Sequence, residues 1–367
     1  NLATGDQTVG GTHNEWGTAG WFGRINYDYN GIWLLELNGR YDGSSKFPSS
    51  DRWAFFPSGS VGYRISEEKF FEPKKIVSNT KIRASYGEIG NQAVGSNMYI
   101  STVSKRTDGN THWLNGSNKV VAYDLPSLVS PTLKWERIQT LDIGGDFGFF
   151  NNELNISFDW YQRTTKDMLA PGQTMPDVLG AGAPKINAGT LRTRGWELSI
   201  DWRHHFNEIN VYANASIGDF KTVITKWDND SQLLNENYSG KVYGDIWGFE
   251  TDRYFTKDDF NADGSYKEGI ASQKKLEQDG FVYGPGDIKF KDLNNDKEIN
   301  GGEGTVKDHG DLKVIGNTTP RYQYGFRLGG EWKGIDIDMF FQGVGKCDTW
   351  TQSAFVMPMM RGADAIY

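Results

Sequence analysis

The stretch Leu154-Asn155-Ile156-Ser157-Phe158-Asp159-Trp160-Tyr161 decides the fold. In an extended chain successive side chains point to opposite faces. Leu154, Ile156, Phe158 and Trp160 therefore share one face, and Asn155, Ser157, Asp159 and Tyr161 the other. The same period of two, not 3.6, continues outward along the chain. Trp196, Leu198, Ile200 and Trp202 oppose Glu197, Ser199, Asp201 and Arg203. Val211, Ala213 and Ala215 oppose Asn210, Tyr212, Asn214 and Ser216. Ile335, Ile337, Met339 and Phe341 oppose Asp336, Asp338, Phe340 and Gln342, and Trp33, Leu35, Leu37 and Tyr41 oppose Leu34, Glu36, Asn38 and Arg40. Ten such segments begin near Ala19, Ile32, Arg52, Thr80, Trp135, Glu153, Thr193, Glu208, Arg321 and Ile335. The one helix-like signal is a short turn at Ser66–Phe71, where Ser66 precedes Glu67 and Glu68 in a capping-like string.

The links between these segments alternate in length. Asn30-Gly31 is a two-residue hairpin signal. Phe149-Phe150-Asn151-Asn152, His204-His205-Phe206-Asn207 and Trp332-Lys333-Gly334 are similarly short. Between them lie a longer link over Gly43–Asp51 and long loops near 88–134, 165–192 and 219–319. Only Ser66–Asn79 is longer than its place in the series requires. A meander with short turns at one end and long loops at the other is the outer-membrane barrel pattern. Segment lengths agree: several run 11 to 14 residues, against a mode of about 5–6 in soluble sheets and about 9–11 to cross a bilayer. Trp21, Phe22, Trp33, Trp53, Phe55, Phe56, Trp135, Trp160, Trp196, Trp202 and Trp332 sit near segment ends. Interfacial girdles require that placement, since an indole has an apolar body and one donor suited to the headgroup level.

Composition bounds the alternatives. The 367 residues are 37% hydrophobic and 14% aromatic, with a mean hydropathy of -0.60. No run of about 18 apolar residues is present, which excludes transmembrane helices. A barrel strand shows only alternate side chains to lipid and stays within such averages. Lys plus Arg number 39 and Asp plus Glu 47, a net charge of -8. No basic stripe stands out, which argues against a nucleic-acid partner. The single cysteine, Cys347, excludes an internal disulfide framework.

Several stretches carry a family signature. They are Phe22-Gly23-Arg24-Ile25-Asn26-Tyr27, Gly39-Arg40-Tyr41-Asp42-Gly43-Ser44-Ser45-Lys46-Phe47, Arg52-Trp53-Ala54-Phe55-Phe56-Pro57, and Lys81-Ile82-Arg83-Ala84-Ser85-Tyr86-Gly87 with Gly90-Asn91-Gln92. Further on come Leu133-Lys134-Trp135-Glu136, Asp159-Trp160-Tyr161-Gln162-Arg163-Thr164-Thr165-Lys166-Asp167-Met168-Leu169, Arg194-Gly195-Trp196-Glu197-Leu198, Pro285-Gly286-Asp287-Ile288-Lys289-Phe290 and Ile315-Gly316-Asn317-Thr318-Thr319-Pro320. In this order, over nearly the whole chain, they resemble the SusC/RagA family of TonB-dependent outer-membrane transporters. The resemblance implies an all-β fold: an antiparallel up-and-down transmembrane β-barrel of roughly 22 strands with a plugged lumen, long extracellular loops and short periplasmic turns. It implies the Gram-negative outer membrane as the location, and uptake of oligosaccharides or oligopeptides rather than catalysis. It also implies TonB, acting through a segment absent here, a SusD-like surface lipoprotein and membrane lipid as partners. Residues 1–367 are expected to form one incomplete barrel segment of about ten strands. Leader, plug and early strands are missing relative to the family pattern. Since open sheet edges cannot face lipid, the remaining part of the same barrel is an expected partner too.

Glu36, Asn38, Arg40, Asp159, Glu197, Asp201 and Arg203 are expected to line or brace the lumen by bonding one another or a plug. The substrate-binding residues are not legible. The competing reading, from periodicity alone, is a soluble glycan-binding or glycan-cleaving β-protein with Trp stacked on sugar faces. Catalytic signals are lacking: His13, His112, His204, His205 and His309 form no metal spacing, and no phosphate loop or nucleophile elbow occurs. One loop resembles a calcium site. Asp292, Asn294, Asp296 and Asn300 stand at positions 1, 3, 5 and 9 of a twelve-residue frame, with Glu298 between and Glu303 at position 12. Lys297 replaces the glycine of position 6, and its charge opposes a cation. A fainter echo is Asp259-Phe260-Asn261-Ala262-Asp263-Gly264.

Overall fold

A computed structural model describes residues 11, 13–71, 76–105, 114–115, 118–119, 122–172, 176–278 and 280–350. His112 lies outside them, as does part of the loop near 88–134. Ten long strands form one sheet: β1 Thr18–Tyr29, β2 Trp33–Ser44, β3 Trp53–Arg64, β4 Val77–Asn91, β7 Glu136–Phe149, β8 Leu154–Pro171, β9 Lys185–Phe206, β10 Ile209–Lys226, β15 Arg321–Trp332 and β16 Ile335–Lys346. Their spatial order is β1-β2-β3-β4-β7-β8-β9-β10-β15-β16, so every long strand pairs with its neighbour in the meander. The short strands pair among themselves. β5 Leu114–Asn115 joins β6 Asn118–Lys119, β11 Asp245–Phe249 joins β14 Leu312–Asn317, and β12 Thr251–Tyr254 joins β13 Ile288–Phe290.

The turns follow their residues. Asn30 and Gly31 have φ of 56° and 68°, the left-handed pair that a tight hairpin needs, and the Ile32 amide closes the turn on the Tyr29 carbonyl at 3.0 Å. Lys333 and Gly334 repeat the pattern with φ of 47° and 84°. Ser66 opens no cap. It lies in a 3-10 turn at Ile65–Glu67, and its hydroxyl bonds Asn79 instead. His204 and His205 belong to β9, not to a turn. The His204 ring lies 6.1 Å from Trp202 and 4.2 Å from Phe206, and its Nδ1 is 2.5 Å from Glu153.

Strand lengths depart from expectation. β8, β9 and β10 have 18, 22 and 18 residues, so Thr165–Pro171, Lys185–Arg192 and Asp219–Lys226 are ladder, not loop. A ladder needs backbone partners rather than lipid, and polar residues continue it past the apolar span. β9 and β10 stay in register from Phe206↔Ile209 to Leu191↔Ile224, with a bulge at the end.

Among the described residues the chain divides into two compact units. The first takes the stretch up to Val61 with Ser85–Leu141 and Thr164–Gly189; the second takes Gly62–Ala84, Asp142–Arg163 and the stretch from Thr190 on. In the first unit, Phe47, Ala54, Phe56, Val94, Leu133 and Trp135 make a small buried core. The Trp135 ring sits 4.9 Å from Phe47 and 5.6 Å from Phe56, and its Nε1 donates to the Arg52 carbonyl. In the second unit, between β10 and β15, Phe255, Phe260 and Tyr266 cluster at 5.1–5.7 Å, and Ile299 is fully buried.

Candidate functional site

The apolar faces of the strands are not in a core. Ile337 is 60% exposed, Trp160 36%, and Leu198 half-buried. Trp21, Ile25, Tyr27 and Tyr29 on β1, and Trp33, Leu35, Leu37 and Tyr41 on β2, are all exposed. They pair across the ladder as Trp21↔Tyr41, Ile25↔Leu37, Tyr27↔Leu35 and Tyr29↔Trp33. Aliphatic residues thus occupy the middle and aromatic ones both ends. Trp21 and Tyr29 are eight steps apart, about 26 Å along the strand at roughly 3.3 Å per residue, or about 20 Å of height at a tilt of about 40°, which fits within the apolar band of about 25 Å that a barrel shows to lipid. At one end Trp21, Tyr41 and Trp53 stack, with centroids 5.1 to 6.3 Å apart. In the second unit Phe326 and Phe341, paired across β15 and β16, stack at 4.7 Å.

The opposite face is polar and bonded. In the first unit Arg24 donates to Asn38 at 2.7 Å and Asn38 to Glu36 at 2.8 Å. Arg40 grips Asp42 with two bonds of 3.1 Å. In the second unit Arg83 sits among Asp142, Asp146 and Asp159, at 3.4, 3.2 and 2.6 Å. Asp201 accepts from Asn214 and pairs with Arg203, and Arg327 pairs with Asp338 at 2.6 Å. Near the end of β10, Asp219 stands opposite Trp196 in the ladder, and Arg321 holds it through two bonds of 2.5 Å. Glu197 lines a pocket of about 370 Å³ with Asp159, Tyr161, Ser199, Asp219 and Gln323. Within each unit the residues expected along a lumen lie on the polar face: Glu36, Asn38 and Arg40 in the first, and Glu197, Asp201 and Arg203, opposite Gly218, Asn214 and Tyr212, in the second. The aromatic assignment needs correcting at three positions. Phe56 and Trp135 are core residues, and Phe22 pairs with Arg40 on the polar side. Alternation ignores size, so an aromatic near a strand end fixes no side until the register is known.

The acidic loop is arranged differently from its sequence spacing. Carboxylate oxygens of Asp292, Asp296 and Asp311 lie within 4.8 Å of one another. Asp292 accepts the Asn295 and Lys297 amides at 2.6 and 2.9 Å. Asn294 Oδ1 accepts the Asp296 amide, and Asp296 accepts that of Glu298. Lys297 has the left-handed φ of 66° that a glycine would favour. Glu298 turns to Lys275 at 2.6 Å, Asn300 donates to the Glu298 carbonyl, and Glu303 is exposed and outside the carboxylate cluster. Asp311, missed by sequence spacing, is fully buried and accepts amides from Leu293 and Asn300. It lies beyond the twelve-residue frame, and only the fold returns it to the loop. In the fainter echo Asp259 is committed to Arg253 and the Thr256 amide. The Arg253 guanidinium holds its carboxyl well below the usual range.

A sequence model of the family described as TonB dependent receptor-like, beta-barrel matches residues 2–332. TonB-dependent receptor P3 of Formosa agariphila is 30% identical over 338 residues, covering 88% of this chain and 31% of that protein. TonB-dependent receptor SusC of Bacteroides thetaiotaomicron is 28% identical over 344 residues, covering 87% and 31%. The chain spans about a third of the length of the curated relatives it matches. Among solved structures, the RagAB peptide importer in its open-open state superposes with a TM-score of 0.68 at 22% identity, over 90% of this chain and 32% of that one. That likeness is one of fold.

Proposed function

The chain belongs to the TonB-dependent receptor-like β-barrel family, and from that premise we propose that it supplies the wall of a transporter that takes up oligosaccharides or oligopeptides. The family places it in the outer membrane, as part of a β-barrel that is not an enzyme. In the proposed cycle a SusD-like lipoprotein and the external loops capture the cargo, TonB pulls a plug, and the lumen opens inward. The observation that carries this reading is the two-sided wall: an exposed apolar band with aromatic ends on one face, and bonded charges on the other. A wet interior fits polar cargo, and such a wall cannot itself supply energy, which TonB would bring. RagAB, described as a peptide importer, supports the oligopeptide arm. Uptake of labelled oligosaccharide and peptide pools by cells expressing the intact receptor tests it. Uptake should fall to background when TonB or the lipoprotein is removed; undiminished uptake without both contradicts the cycle.

A second proposal concerns the acidic loop. Asp292, Asp296 and Asp311 would hold calcium, because their carboxylate oxygens already converge and hard cations take oxygen ligands. Calorimetric titration of the intact receptor should show one calcium site that Asp296→Asn weakens and Glu303→Gln spares. Absence of binding, or equal loss in both variants, contradicts it.

A further inference from the structure

The side of β9 that carries Trp196, Leu198, Ile200 and Trp202 continues past its apolar band with Arg194 and Arg192. In the ladder Lys221 of β10 stands directly opposite Arg194, and Val223 opposite Arg192. Like charges opposite one another on one sheet face repel, and Arg192 is the diagonal neighbour of Lys221. Arg194 and Lys221 are exposed. Among the described residues no carboxylate pairs with any of these three cations. Asp219, the acid on this face, stands opposite Trp196 and spends both oxygens on Arg321. Gln162 accepts the Arg194 Nε–H at 2.7 Å, which fixes the guanidinium and leaves its Nη donors open. All of these residues lie in the second unit.

Three features restrict what neutralises the patch. The first is its level. Arg194 lies two residues beyond Trp196, about 7 Å along the strand at roughly 3.3 Å per residue, and a headgroup layer adds roughly 5–8 Å outside the hydrocarbon on each side. The second is its side of the membrane. This end of β9 points away from the short turn that follows Phe206, toward the long links, which in such barrels face out of the cell. The third is its donors. Planar guanidinium forks match phosphate oxygens. Three cations match a phosphate monoester, with about −1.5 to −2 charges and three strong acceptor oxygens, better than a singly charged carboxylate or phosphodiester.

We propose that Arg192, Arg194 and Lys221 form a docking site, on the lipid-facing side of the wall, for the phosphate monoester of an outer-leaflet glycolipid. The two guanidinium groups bond the phosphate oxygens and Lys221 adds a point charge. The acyl chains run down over Trp196, Leu198 and Ile217, which share this face. The bound phosphate removes the repulsion between β9 and β10. The site goes beyond the transport reading, since it concerns the outside of the barrel and is independent of cargo, and its failure leaves that reading standing.

Native mass spectrometry of the intact receptor in detergent tests it, with phosphorylated lipid A, enzymatically dephosphorylated lipid A and phosphatidylglycerol as probes. Phosphorylated lipid A should bind, and the other two about tenfold more weakly, a difference of about 1.4 kcal/mol. Arg194→Gln and Lys221→Gln should each weaken binding about tenfold. Lys333→Gln, which removes one charge at the β15–β16 turn, should leave it unchanged. Without lipid, Lys221→Gln should raise the temperature of heat-modifiability on gels, because the repulsion is gone; with phosphorylated lipid A present, the wild type should be the more resistant. Equal binding of either weaker probe, equal loss in Lys333→Gln, unchanged binding in Arg194→Gln and Lys221→Gln, or no binding overturns the site. Displacement of lipid A by inorganic phosphate or polyglutamate at equal concentration would mark a general anion patch and overturn it too.

Discussion

Single residues set the turns and the ion pairs. Asn30 and Gly31 both hold left-handed backbone, which L-residues other than Asn and Asp adopt at a cost. Asn30→Ala should lower the stability of the β1–β2 hairpin by about 1 kcal/mol, read as faster amide exchange in β1 with little change in β16. Asp219 is nearly buried and takes both Arg321 bonds together with the Tyr322 amide. Asp219→Ala should destabilise by about 2 kcal/mol, the usual scale for a bond to a charged group, while Glu208→Ala, whose partner Lys333 is as exposed as itself, should change little. Heat-modifiability of the intact receptor on gels would show the difference. The signal for Asn30-Gly31 was plain in the sequence. Asp219 was not, because its partner lies 102 residues away and only the β10–β15 register brings Gly218 opposite Gln323.

At the scale of elements, period-two alternation placed all ten long strands, because an apolar face against a polar one leaves no other register. It misjudged their ends: Lys185–Arg192 lacks clean alternation yet joins β9, and its Thr190–Arg192 end pairs with Val223 to Lys226 of β10, since backbone hydrogen bonds hold a polar ladder as well as an apolar one. The acidic loop was half legible, in Asp292 and Asp296; Asp311 was not, since ligand convergence is tertiary. Between β10 and β15, Glu250 bonds Lys291 and Lys313, tying the β12–β13 sheet to the β11–β14 sheet. These two lysines hold its carboxyl down at about 2. A depressed carboxyl stabilises above its unfolded value and loses that contribution as pH falls toward its folded one. Amide exchange in β11 to β14 should therefore accelerate as pH drops from about 4.5 toward about 2, after correction for intrinsic exchange. Glu250→Gln should be faster already at neutral pH and lose this step. A step of equal size in the variant would count against the tie.

For the whole molecule the central claim is the direction of the two faces. A soluble sheet would put Ile335, Ile337, Met339 and Phe341 in a core, whereas here they are exposed and their neighbours Asp336 and Asp338 lie on the other face. The chain spans about a third of its relatives, and β1 and β16 are paired on one side only among the described residues. Spin labels placed singly at 335 through 341 of the intact receptor in bilayers measure this directly, by collision with lipid-soluble oxygen and with a water-soluble nickel chelate. The account predicts a strict alternation, oxygen dominating at 335, 337, 339 and 341 and nickel at 336, 338 and 340. Nickel access at all seven positions, or the opposite phase, would contradict it.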